Sequence, residues 1–207
     1  MAKDKLNPLR IWEQVCEPDP NNTRAVKHRG GFTTIDAYSQ IEMATKVFGP
    51  VGTGWWWHFD DPIFVSDCVV VKCNVYYLDP DTGEQCKAPV EQFGQKSLAF
   101  KSKPDEDALK KAGTDALTKC LSYLGFNADV FLGKFDDNKY LERLQEKYRS
   151  PLVDELAGLI EAATNMEMLA DAGAAIADSQ LENEADKALL RNKYFAKQKE
   201  LEGYENE

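Results

Sequence analysis

Apolar residues recur along this chain with two different periods, and each period marks a different kind of element. Between positions 38 and 48 they fall at Tyr38, Ile41, Ala44, Val47 and Phe48, the spacing that lines one face of an α-helix. Thr33 and Thr34 precede this run as hydroxyl caps, Asp36 stands in the first turn, and Gly49-Pro50 stops it, so a helix is expected over 34–48. A longer helix is expected over 102–125. There Leu109, Gly113, Leu117, Cys120, Leu121 and Leu124 share one stripe, Pro104 and the acids Asp105, Glu106 and Asp107 suit a first turn, and Gly125 closes the helix. Its opposite face carries Lys111, Asp115, Thr118, Lys119 and Ser122.

Between these helices the pattern changes to that of strands. Trp55-Trp56-Trp57-His58-Phe59 is bounded by Gly54 and by Asp60-Asp61-Pro62, which predicts a strand. Further strands are expected over about 62–67 and 68–78, a reversal at Asp79-Pro80-Asp81-Thr82-Gly83, and a return strand over about 84–93, together an antiparallel meander. Alternation buries Trp55 and Trp57 and turns Trp56 to the other side. A short helix before Pro18, a basic loop over Arg24–Gly31 and a helix over Asn138–Arg149 complete the first part. Beyond Pro151 three helical segments follow, two with capping-box spacing at Thr164-x-x-Glu167 and Ser179-x-x-Glu182. The expected architecture is α+β: an antiparallel β-meander packed against a long helix in residues 1–150, then a small helical module in 151–207.

The net charge of −10 is unevenly spread. Residues 1–150 hold 20 Lys and Arg against 22 Asp and Glu, while residues 151–207 hold 5 against 13. The acid is concentrated in the tail, so a basic face is possible in the first part. The N-terminus has no apolar signal core, and no apolar run approaches the roughly 18 residues of a membrane span; a cytoplasmic location is expected. The five cysteines form no C-x-x-C pair and fit free thiols in a reducing compartment.

Catalytic constellations are missing from the sequence. Two histidines, His28 and His58, supply neither a clustered zinc site nor a credible Ser-His-Asp arrangement. Gly49-Pro-Val-Gly52-Thr-Gly54 lacks the Lys-Ser/Thr of a phosphate-binding loop. Asp60-Asp61 reads as a turn, or as the acidic pair of a nuclease that still needs a third carboxylate. Asp136-Asp137-Asn138 lacks the spaced ligands of a calcium loop and suits helix capping. No cofactor, metal or bond-breaking chemistry is expected.

Two blocks carry a resemblance. The first runs Gly30-Gly31-Phe32 through Ile41-Glu-Met-Ala-Thr-Lys-Val-Phe48-Gly49 to Gly54-Trp55. The second runs from Asp107 through Thr114-Asp115-Ala-Leu117-Thr-Lys119-Cys-Leu121 to Gly125, followed by Asn127, Asp137, Lys139, Tyr140 and Leu141. In order and spacing they resemble the Rad-fifty-two family and its phage single-strand annealing relatives, over roughly residues 24–149. The resemblance implies a β-β-β-α core that assembles into rings or helical filaments. It also implies ATP-independent binding of single-stranded DNA in a groove, with the bases exposed for pairing. One departure stands out. Eukaryotic members carry several basic residues on the exposed face of the Thr-Asp-x-Leu helix, where Thr118, Lys119 and Ser122 leave Lys119 alone. The family's basic residue in the earlier helix is missing near Tyr38 and Ser39.

Annealing requires cations that hold phosphates while the bases stay free. The candidate phosphate contacts are Arg24, Lys27, Arg29, Lys96, Lys101, Lys103, Lys111 and Lys119, with Trp56 as a stacking surface. Residues 96–103 hold three lysines and no acid, as a solvated loop or a phosphate grip. Lys111 and Lys119 stand about two turns apart on one helix face. The acidic residues 152–203 suit a protein partner, such as an exonuclease or a host single-strand-binding protein, or an oligomer-stabilising role. Two rival readings stay open: a single-strand-binding module of the OB kind that protects without annealing, and a metal-dependent nuclease using Asp60 and Asp61.

Overall fold

The computed structural model describes residues 6–26, 32–100, 103–181 and 183–204. The chain divides into two compact units, Met1–Tyr140 and Leu141–Glu207. The boundary therefore falls inside one helix, ten residues before the Pro151 helix start. Among the described residues no helix is long and apolar enough to cross a membrane.

The first unit is α+β. It opens with α1 (Arg10–Val15) and a two-stranded ribbon, β1 (Thr23–Val26) and β2 (Phe32–Ile35), with Arg24 opposite Thr34. The start of the expected basic loop, Arg24 to Val26, is thus strand, its residues 27–31 lie outside the described residues, and Thr33 and Thr34 lie in β2 rather than capping a helix. The cap of α2 (Ala37–Phe48) is Asp36, whose carboxylate accepts the backbone N–H groups of Tyr38 and Ser39. A carboxylate takes both orphan donors at once and suits the positive end of the helix dipole.

The main sheet contains β3 (Trp55–Phe59), β4 (Ile63–Val65), β5 (Cys68–Tyr77) and β6 (Val90–Ser97), all antiparallel. The long β5 is central. β3 and β4 lie end to end along one side of it and β6 runs along the other. The expected return strand is displaced. Leu78 bridges Gln85 beside the Asp79–Gly83 turn, but the ladder resumes only where Val90 faces Val75, which leaves two additional residues ending at Pro89. Proline has no N–H for a ladder, and a two-residue slip keeps every side chain on its face. The strand therefore extends to Ser97 and takes Lys96 out of the expected loop. A short ribbon, β7 (Ala99–Phe100) with β8 (Lys103–Pro104), follows.

α3 (Ala108–Tyr123) packs on β5 and β6 and starts later than the sequence suggests. Pro104 belongs to β8, and Asp105, Glu106 and Asp107 precede the helix, because the β7–β8 ribbon draws this segment back to the sheet. The buried stripe is Ala108, Ala112, Ala116 and Cys120, flanked by Gly113, Leu117 and Leu121, whereas Leu109 is 49% exposed. The stripe is small because the sheet comes so close. A Cβ at Gly94 of β6 would stand 2.0 Å from the Ala112 carbonyl oxygen and 2.5 Å from the Ala116 nitrogen. Val69, Val71, Cys73 and Val75 of β5 are buried beneath this helix, and Trp55, Phe48, Leu121 and Phe126 extend the core toward α2 and α1.

The chain after α3 forms α4 (Ala128–Phe131) and α5 (Asn138–Lys147). The loop between α3 and α4 closes on α1: the Asn127 and Asp129 N–H groups donate to the Val15 and Cys16 carbonyls. The Asp129 carboxylate is buried, accepts the Tyr140 hydroxyl at 2.6 Å and pairs with Lys134 at 2.8 Å. At the opposite side of α1, Arg10 pairs with Asp79 and Asp81 and so holds the β5–β6 turn.

The second unit contains α6 (Pro151–Ala162), α7 (Met166–Asp178) and α8 (Glu184–Tyr204) around Val153, Leu156, Ile160, Leu169, Leu190 and Leu201. Its caps differ from the expected boxes. Asn165, not Thr164, caps α7 by accepting the Met168 N–H at 2.9 Å. Ser179 ends α7 and donates its hydroxyl to the Ile176 carbonyl, while Asn183 accepts the Ala185 N–H at the start of α8. Glu182 lies outside the described residues.

Candidate nucleic-acid interface

Three of the sequence-predicted cations converge. Lys96 comes from β6, Lys103 from β8 and Lys111 from the second turn of α3, and all line one open cavity of about 600 Å³. Backbone bonds produce the convergence. The Leu98 N–H donates to the Asp67 carbonyl at 2.7 Å and the Asp105 N–H to the Leu98 carbonyl at 2.8 Å, which folds residues 98–105 back beside the sheet. Gln95 and Ser97 add polar groups to the lining.

Asp105 organises the cavity. Both its oxygens accept from the Lys111 ammonium, at 2.7 and 2.9 Å, and one also accepts the Asp107 N–H. The Lys111 ammonium holds the Asp105 carboxyl below its usual range, and the field of Lys96 acts in the same direction. The same bond raises the Lys111 ammonium above the ordinary lysine range. Lys96 and Lys103 are exposed and make no ion pair or side-chain hydrogen bond among the described residues. Among the described residues the lining thus carries three cations against one carboxylate, an arrangement that attracts an anion with more than one charge.

Lys119 stands elsewhere. Its ammonium bonds the Asp115 carboxylate at 2.8 Å and the Phe93 carbonyl at 3.3 Å, and Asp115 also accepts the Gln95 N–H at 3.3 Å. This pair fastens α3 to the outer edge of β6, where strand groups have no ladder partner. Lys111 and Lys119 therefore do not form one grip: each ends on a different carboxylate. Thr118 and Ser122 donate their hydroxyls to carbonyls of their own helix.

Arg24 is exposed on β1. Lys27, Arg29 and Lys101 lie outside the described residues. Trp55 is fully buried with its indole N–H toward the Thr45 hydroxyl, and Trp57 packs against the same core. Trp56 points to the other face of the sheet, stacked on Tyr76 with ring centres 5.6 Å apart and planes 8° from parallel.

A groove that sequence reasoning missed is connected to the lysine cavity through a smaller one. Tyr38 and Ile41 of α2, Trp57 and Phe59 of β3, and Leu109 and Leu117 of α3 line about 700 Å³. Tyr38, 82% exposed, and Leu109 were expected in the core. Of the expected α2 stripe Ala44 and Phe48 are buried, and Gln40 joins them in place of Tyr38, because this face meets the sheet and α3. Lys110, Thr114 and Thr118 line both this groove and a smaller cavity that reaches Lys111. One surface path therefore follows α3 from an aromatic groove to a lysine cluster. The only sequence signal for it was the Ala108, Ala112, Ala116 repeat, which displaces the leucines from the sheet-facing side.

Asp60 and Asp61 form no carboxylate cluster. The Asp60 carboxylate accepts the Asn74 amide at 2.9 Å and lies near Lys72 and His58. Among the described residues no group of three or more His, Cys, Asp or Glu side chains is placed to hold a metal ion. No protein-family model matches the chain, and no curated protein matches it.

Proposed function

We propose that this chain binds single-stranded DNA and anneals complementary strands, without ATP and without breaking a covalent bond. The reading is supported by one observation above the others: Lys96, Lys103 and Lys111 arrive from three elements at one cavity, with Asp105 as the sole lining carboxylate among the described residues. Ammonium groups hold phosphates as point charges and read no sequence, which suits a protein that must accept any strand. The aromatic groove beside Lys110, and the Trp56–Tyr76 stack on the far face of the sheet, offer π surfaces to unpaired bases.

On this reading the sheet and α3 constitute the β-β-β-α core of the Rad-fifty-two family, and subunits assemble into a ring or filament in the cytoplasm. The acidic residues 152–203 repel DNA and dock a protein partner, an exonuclease or a host single-strand-binding protein.

The test is an annealing assay with complementary labelled oligonucleotides, with and without ATP and Mg²⁺, combined with binding across a salt series. The parent accelerates duplex formation without either addition and sediments as an oligomer. Lys96→Ala with Lys103→Ala lowers affinity and reduces the log–log salt slope by about 1.4, or about 0.7 for each lost phosphate contact. A monomeric parent that leaves annealing unaccelerated refutes the proposal. Binding that blocks pairing assigns the chain to protection instead, and Mg²⁺-dependent cleavage assigns it to a nuclease.

A further inference from the structure

The lysine cavity carries more positive charge than a single phosphodiester can meet. Among its described lining residues Lys96, Lys103 and Lys111 stand against Asp105, which leaves a surplus of two positive charges. Asp105 is engaged by Lys111 through both of its oxygens, so the surplus resides on Lys96 and Lys103. Neither of these two makes an ion pair or a side-chain hydrogen bond among the described residues. Two further carboxylates stand near without lining the cavity: Asp67, which meets the Cys68 thiol at 3.6 Å, and Asp107, whose field acts on Lys111. The connection from β6 to the end of β8 adds no acid, since residues 97–104 include Lys101 and Lys103 and no Asp or Glu.

An internucleotide phosphate carries one negative charge. A phosphate monoester carries about 1.5 to 2 at neutral pH, and three of its oxygens accept hydrogen bonds. Two ammonium groups without partners therefore match a monoester better than a diester. We propose that this cavity is a site for a phosphate monoester, with the phosphorylated end of a DNA strand and a free nucleoside monophosphate as its two sources. Lys96 and Lys103 meet the phosphate from β6 and β8, and Lys111, held by Asp105, supplies the third positive charge from α3. For a strand end the inference rests on the DNA-binding reading above and narrows it: the cavity takes the terminus rather than the phosphates inside the chain. A monoester loses its second charge as pH falls through about 6. No histidine lines the cavity among the described residues, and the Cys68 thiol at the start of β5 is raised above its ordinary range by desolvation and by Asp67. A change in binding between about pH 5.5 and about pH 7.5 thus reads the ionisation of the ligand.

The experiment titrates the full-length chain into pentathymidylate that carries a 5′-phosphate or a 3′-phosphate, with fluorescein at the other end, and follows anisotropy. Each strand has a twin with a hydroxyl in place of the phosphate. The parent is expected to bind at least one phosphorylated strand about ten-fold tighter than its twin near pH 7.5, and to lose most of that preference near pH 5.5. Lys96→Ala with Lys103→Ala is expected to abolish the preference. Lys119→Ala, whose ammonium is held by Asp115, is expected to keep it. Lys96 and Lys103 are exposed, so the double variant should retain the parent's urea transition; if it does not, the pH series on the parent decides. Calorimetry with thymidine 5′-monophosphate against thymidine removes the strand from the test. Saturable binding of the monophosphate, with no strand bound, supports the monoester site and refutes DNA binding. Equal and tight binding of phosphorylated strands and twins, with no binding of the monophosphate, overturns the proposal and leaves DNA binding standing. A preference that persists near pH 5.5, or in the double variant, overturns it as well.

Discussion

Replacing Gly94 with alanine adds one methyl group at the point where α3 comes closest to the sheet. The new Cβ would stand 2.0 Å from the Ala112 carbonyl oxygen and 2.5 Å from the Ala116 nitrogen. A carbon and a carbonyl oxygen tolerate about 3.3 Å, so the helix must retreat by about 1.3 Å. Both neighbours are backbone atoms, and no side-chain rotation relieves them. A gap of 0.5–1 Å already forfeits about a quarter to a half of each van der Waals contact. The retreat opens such a gap between Ala108, Ala112, Ala116 and Cys120 and the valines of β5. Overpacking of this kind costs about 1–3 kcal/mol by itself. With the lost contacts, Gly94→Ala is expected to destabilise the first unit by about 3–5 kcal/mol. All four tryptophans, Trp12, Trp55, Trp56 and Trp57, belong to this unit. Urea unfolding followed by tryptophan fluorescence therefore reads this unit alone. Gly113→Ala is the control, because the nearest atoms to its Cβ would be those of the Phe59 ring, at an ordinary contact distance of 3.4–3.7 Å. It should be neutral or stabilising by up to about 1 kcal/mol through helix propensity. A Gly94→Ala protein within about 0.5 kcal/mol of the parent would falsify the close-packing argument.

Two further outcomes follow from the same geometry. Lys119→Ala frees the Asp115 carboxylate and the Phe93 carbonyl at the β6 edge, so it should cost about 1 kcal/mol in urea unfolding. It should leave the DNA salt slope as in the parent, in contrast to the Lys96 and Lys103 pair; a slope reduced by about 0.7 would return Lys119 to the DNA path. The Arg10 guanidinium holds the Asp79 carboxyl below its ordinary range. A carboxylate whose folded pKa is depressed contributes stability above its unfolded pKa and loses it as pH falls through the folded one. The stability gap between the parent and Asp79→Asn should thus be full near neutrality and shrink below about pH 4. A gap of constant size across a pH series of urea titrations contradicts this assignment.

Periodicity and punctuation determined the existence of the principal elements. The helix ending at Phe48, the aromatic strand over Trp55–Phe59, the Asp79–Gly83 reversal, the helix ending before Gly125 and the helical tail are all local patterns, set by side-chain spacing and turn residues. The α+β class follows from them. What only tertiary structure decided concerns surfaces that meet across the chain. Ala108, Ala112 and Ala116 face the sheet in place of Leu109 because Gly94 lets the backbones approach, and Gly94 lies on a different element. Asp36 takes the cap from Thr33 and Thr34 because those residues pair with Arg24 and Ala25 in a ribbon. Lysines that looked alike in sequence separated by their partners. Lys111 joined Lys96 and Lys103 through the fold-back at Leu98 and Asp105, and Lys119 went to the β6 edge. Each lysine's carboxylate is a near neighbour in sequence, 6 residues away for Lys111 with Asp105 and 4 for Lys119 with Asp115. The strand edge at Phe93 and the fold-back that bonds Leu98 to Asp67 are made by residues far away in sequence, and position along the chain does not reveal them.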